Sequence, residues 1–91
     1  MSKALYAFRW DVGRMGDVQG LFIADKEVVD KAIGSEVYFG EILGKHSEVY
    51  GELEKRDLTI KTENPELIAW LEIVFDSTNI SGYNPLEYID E

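Results

Sequence analysis

Residues 35 to 53 read Ser35-Glu-Val-Tyr-Phe-Gly-Glu-Ile-Leu-Gly-Lys-His-Ser-Glu-Val-Tyr-Gly-Glu-Leu53, with Ser-Glu-Val-Tyr occurring twice and the chain's single histidine, His46, between the copies. Apolar residues alternate with polar ones on both sides of Gly44-Lys45-His46-Ser47, so the stretch predicts an antiparallel hairpin over 36–43 and 48–54 closed by that loop. A four-residue loop makes opposed residue numbers sum to 91. Ile42 then faces Val49, Gly40 faces Gly51 and Tyr38 faces Leu53 on one side. Leu43 faces Glu48, Glu41 faces Tyr50, Phe39 faces Glu52 and Val37 faces Glu54 on the other. One side is apolar and the other carries four glutamates, as a hairpin packed on one side only requires.

Upstream, Ala4, Tyr6, Phe8, Trp10 and Val12 share a face at a period of two, and Leu5 and Ala7 make the opposite face partly apolar. That is the signature of a central strand. Gly13-Arg-Met-Gly-Asp17 breaks the pattern and Gly20–Ala24 resumes it, which predicts a second strand in a hairpin with the first. Asp25 can cap a short helix through Ile33, with Val29, Ala32 and Ile33 on one face and Gly34 at its end.

Downstream of the 35–53 stretch, Leu58–Thr62 reads as a further strand. A turn at Arg56-Asp57 would pair it with 48–54 and bring Lys61 beside Glu52. Asn64-Pro65-Glu66 combines an N-cap, a proline at the first helical position and an early acid, so a helix runs from there to about Phe75. Leu67, Ile68, Leu71, Val74 and Phe75 form its stripe, with Trp70 and Ile73 at the edges, and it is expected to be the main core helix. Asp76–Gly82 reads as a loop, and Tyr83–Ile89 holds enough apolar side chains to predict a docked tail from about residue 76. The expected fold is one α+β domain over 1–91, β-β-α-β-β-β-α, with a mostly antiparallel sheet of about five strands.

The chain has 91 residues, no cysteine, and 18 acidic against 9 basic side chains, a net charge of −9. Disulfide frameworks, thiolate metal sites and CxxC redox chemistry are excluded. The acidity repels phosphate backbones and anionic lipid, so neither direct nucleic-acid binding nor membrane association is expected. A protein partner with a basic surface is favoured instead, including one whose groove otherwise holds nucleic acid. No segment has the apolar length of a signal peptide or a membrane span, which predicts a cytoplasmic location, bacterial or in the host of a phage.

Catalytic chemistry finds little footing. His46 lies beside Ser47, but sequence neighbours rarely reach nucleophile-base geometry, and no orienting carboxylate is defined. One histidine without cysteines defines no metal site, and neither a metal nor a cofactor is expected. The chain is therefore read as a non-enzymatic binding protein. Its candidate partner-binding residues are Phe39, Glu41, Glu48, Tyr50, Glu52 and Glu54, since exposed aromatics ringed by acids have the composition of an interface core with a charged rim. The alternative is a small anionic or nucleotide-like ligand near Arg9, Trp10, Arg14 and His46, the basic and aromatic cluster in an acidic chain. Gly40 opposite Gly51 would leave a dent for a tryptophan or a ligand to fill. The small core and apolar tail also suggest a homodimer.

Val37–Gly51 and the ending Ser81-Gly-Tyr-Asn-Pro-Leu-Glu-Tyr-Ile89 resemble a small prokaryotic and phage domain family that brings no activity to carry over. In size and charge, the chain is similar to phage-encoded inhibitors of bacterial defence, anti-CRISPR proteins among them, and that similarity implies an inhibitor or adaptor.

Overall fold

The structure is a computed structural model that describes residues 2–13, 16–44 and 48–89. The chain runs β1 (Lys3–Asp11), β2 (Asp17–Asp25), α1 (Lys26–Ala32), β3 (Glu36–Gly40), β4 (Val49–Glu52), β5 (Leu58–Thr62), α2 (Pro65–Phe75) and β6 (Asn79–Gly82). Single 3-10 turns occupy Lys55–Asp57 and Pro85–Tyr88. It is an α+β fold with antiparallel strands.

β1 pairs with β2 along its full length, from Lys3 opposite Asp25 to Asp11 opposite Asp17, as the alternating pattern predicts. It lies inside a four-stranded sheet of order β5-β1-β2-β6, while β3 and β4 form a separate two-stranded ribbon. The two faces of β1 serve different cores. Ala4, Tyr6 and Phe8 join Val18 and Phe22 in the main core, where Val29 and Ala32 of α1 and Val37, Phe39, Val49 and Leu53 of the ribbon segment close over them. Tyr6 and Phe22, directly opposed, stack at 5.6 Å between ring centroids. Leu5 and Ile23, also opposed, point the other way and pack with Ile68 of α2. The sheet thus separates α2 from the ribbon and α1.

Local chemistry explains the ends of these elements. The Asn64 side chain accepts hydrogen bonds from the backbone N–H of Glu66 (3.0 Å) and Leu67 (3.3 Å), with Pro65 at the first helical position. Such a cap is worth about 1 kcal/mol. Asp76, at φ 51°, stops the helix in a left-handed turn. α1 ends before Gly34, whose φ of +92° suits glycine. The N–H of Gly34 donates to the Leu53 carbonyl (2.8 Å), which ties α1 to the end of the ribbon. The tail docks as expected: Tyr83 and Tyr88 lie 5.7 and 4.8 Å from Phe39, and Ile89 bridges to Val37.

Four expectations need correction. First, the ribbon does not follow the register in which numbers sum to 91: Glu36 faces Glu52, Val37 faces Gly51, Tyr38 faces Tyr50, and a bulge then sets Gly40 opposite Val49. That offset is an odd number of residues, so β3 is turned over relative to the sequence expectation. Gly40, at φ +79°, makes the bulge, and residues 41–44 bend away instead of extending the strand. The two glycines do not oppose one another, but the space over Gly51 is filled by a tryptophan as expected, the Trp10 ring lying 3.7 Å from where a Cβ would stand. Second, β5 pairs with β1 and not with β4: Phe8 faces Leu58 and Tyr6 faces Ile60. The expected Lys61–Glu52 cross-strand neighbours therefore belong to different sheets. Third, α2 is not the main core helix, since only Ile68 on it is buried. Fourth, the expected loop contains β6, which pairs Gly20 with Gly82 and Leu21 with Ser81. A side chain on Gly20 would strike the Tyr83 backbone, its Cβ falling 2.6 Å from the carbonyl carbon, so glycine permits this close passage. Among the described residues, no helix is long and apolar enough to cross a membrane.

Candidate functional site

The ribbon buries one face and presents the other. Val37, Phe39 and Val49 point into the main core, with Gly51 against Trp10, whereas Glu36, Tyr38, Tyr50 and Glu52 point outward. Tyr38 and Tyr50 are directly opposed and remain 44% and 60% exposed, their rings stacked at 6.2 Å and 29°. Next along the ladder, Glu36 stands opposite Glu52. Like charges opposed across two strands destabilise the pairing by a few tenths of a kcal/mol, roughly the range of other cross-strand effects. At the other end, the Tyr38 hydroxyl donates a hydrogen bond to the Glu48 carboxylate, and Glu41 adds its field. Partial desolvation of that hydroxyl, then Glu48, then Glu41 push the Tyr38 pKa above the ordinary tyrosine value.

The ion pairs among the described residues lie elsewhere: Lys3 with Glu72, Arg9 with Asp17, Lys26 with Glu63, and Arg56 with Glu54. None neutralises Glu36, Glu48 or Glu52. The face therefore offers aromatic faces within an anionic rim, a combination that attracts Lys and Arg through both ion pairing and cation–π contact.

Of the partner-binding residues expected from sequence, Glu41, Glu48, Tyr50 and Glu52 surround or belong to this face. Phe39 does not. It is 6% exposed and wedged against Phe8, Trp10, Tyr83 and Tyr88. Its place is taken by Tyr38, and Glu36 joins the acids; the overturned register had hidden both. Glu54 lies just past β4, and its carboxylate is engaged by Arg56 at 2.9 and 3.1 Å, so it adds little free charge.

Only two members of the expected ligand cluster, Arg9 and Trp10, lie among the described residues. Arg9 and Trp10 are sequential strand residues and leave opposite faces of β1. The Arg9 guanidinium is held by Asp17 at 2.7 and 3.1 Å, while Trp10 turns inward and donates its indole N–H to Asp57 at 2.7 Å. Arg14 and His46 lie outside the described residues. A broad cleft of about 1020 Å³ wraps the edge of β1 between Arg9, Trp10, Tyr50 and Lys61, but four carboxylates line it against three cations. That balance does not favour an anionic ligand. Among the described residues, no three acidic or imidazole side chains converge closely enough to hold a metal ion. Comparison with protein-family models, curated proteins and solved structures finds no match for this chain.

Proposed function

We propose that this chain is a non-enzymatic binding protein that docks the outer face of the β3–β4 ribbon on a basic protein surface, acting as an inhibitor or adaptor. The observation that carries this reading is the ladder of Glu36 opposite Glu52 beside the exposed Tyr38–Tyr50 stack. A fold gains nothing from aligning two carboxylates across a strand pair and leaving two tyrosines in water. A partner that supplies arginine or lysine turns both into favourable contacts. The net charge of −9 extends the attraction beyond contact range and speeds encounter. A groove that otherwise holds nucleic acid has the required positive lining. In that setting the acidic face takes the place of a phosphate backbone, as in an inhibitor of a nucleic-acid-guided or nucleic-acid-cutting defence effector.

The test is capture of host proteins on the immobilised wild-type chain and on the double variant Glu36→Lys, Glu52→Lys. A basic partner retained by the wild type at about 50 mM salt, weakened at about 500 mM and lost with the double variant is the expected outcome. Displacement of that partner by added DNA or RNA would locate the contact in a nucleic-acid groove. Equal capture by the charge-reversed chain would overturn the assignment of this face.

A further inference from the structure

α2 is apolar on two sides, and the sheet covers one of them. Ile68 is buried against Leu5 and Ile23, with Leu71 partly buried beside it. Leu67, Trp70, Ile73 and Val74 lie roughly 140° further round the helix, given 3.6 residues per turn. They are exposed, Trp70 by 61% and Ile73 by 77%. The 67-70-74 spacing is the seam of a helix that packs against another helix.

We infer that this second stripe binds the same stripe of a second copy of the chain, in a two-fold dimer with antiparallel α2 helices. Three observations select a second copy as the occupant. Trp70 stands at the midpoint of α2 (Pro65–Phe75). A two-fold axis beside it sets Leu67 against Ile73 and Val74 of the partner subunit and the reverse, apolar against apolar, as a self-complementary interface demands.

The second observation is area. The chain exposes 6085 Å², whereas a compact monomer of its mass exposes about 5400 Å². Its radius of gyration is 13.4 Å, against about 12 Å for a compact chain of this length. Leu67, Trp70, Ile73 and Val74, each at least 44% exposed, contribute to that excess and are the apolar surface that a second copy would cover.

The third is charge. Two copies at −9 repel, so they can meet only where little charge is exposed. α2 holds two ionisable residues: Glu72, which Lys3 pairs at 3.3 Å, and Glu66, which lies on the stripe's side in the first turn, so that an antiparallel pair sets the two Glu66 carboxylates at opposite ends of the seam. The acidic ribbon lies across the sheet from this stripe and is excluded as a self-contact.

Sedimentation equilibrium decides the matter. The wild-type chain should pass from 10.4 kDa to twice that mass as its concentration rises through the micromolar range, with Trp70→Glu and Ile73→Lys each holding it at 10.4 kDa. Both side chains point to solvent in the single chain, so circular dichroism should show an unchanged fold. The ribbon variant Glu36→Lys, Glu52→Lys should still dimerise, which separates this interface from the partner-binding face. A wild-type chain that stays at 10.4 kDa up to about 1 mM, where even weak contacts populate, would overturn the inference and assign the stripe to a different occupant. So would a dimer that survives both substitutions.

Discussion

Tyr6 carries an ionisable hydroxyl into the main core, where it is 5% exposed. Burial first, and the Asp30 charge second, hold its pKa above the ordinary value near 10. On raising the pH, the unfolded chain loses this proton before the folded chain does, so the folded state binds more protons and stability falls. The contribution is complete below about pH 10 and disappears as the pH climbs through the folded-state pKa. Urea midpoints should therefore decline as the pH rises above about 10, and Tyr6→Phe should flatten that decline; an identical slope in the variant would show that Tyr6 is not the group responsible. The burial of Tyr6 was legible in the period-two pattern of the first strand. The choice between Tyr38 and Phe39 was not, because Val37, Phe39 and Leu43 are as apolar as Tyr38 and Ile42. What decides it is the pocket of four rings, from Phe8, Trp10, Tyr83 and Tyr88, that receives Phe39. Those rings come from segments remote in sequence, which no local pattern relates.

At the scale of elements, α2 shows how capping and packing can be decoupled. Asn64-Pro65 starts the helix by local hydrogen bonds, legible from three residues, while the side it buries depends on where the sheet lies. Ile68→Ala should destabilise the fold by about 2–4 kcal/mol, since it empties a site enclosed by Leu5 and Ile23. Ile73→Ala should change single-chain stability by less than about 0.5 kcal/mol, because its side chain already stands in water. Denaturant melts of the two variants at low concentration, in the background of Trp70→Glu, measure the difference without interference from association. The pairing of β5 likewise depends on where the sheet lies and not on the turn that precedes it. A turn at Arg56-Asp57 suits a hairpin with β4, yet Leu58 pairs with Phe8 of β1 and packs on the main core there. β6 is four residues long with Ile80 as its one apolar side chain, too short a pattern to signal a strand, and it pairs with the otherwise open edge of β2 while Ile80 packs on the second core.

For the whole molecule, charge and stability are set against one another. Relieving the Glu36–Glu52 opposition by Glu52→Lys should raise the unfolding free energy by about 0.2–1 kcal/mol, as opposite charges replace like ones across the ribbon. The same change should weaken capture of a basic partner, and a variant both less stable and equally competent would contradict the role given to this face. Thermal melts beside the capture assay read both quantities. The sheet itself has a mechanical corollary. Because it stands between α2 and the ribbon, two chains joined at Trp70 carry their tyrosine ladders on outer surfaces that point apart. Such a pair can bridge two separate targets but cannot grip two sites on one face of a single target, because avidity is lost where geometry forbids simultaneous engagement.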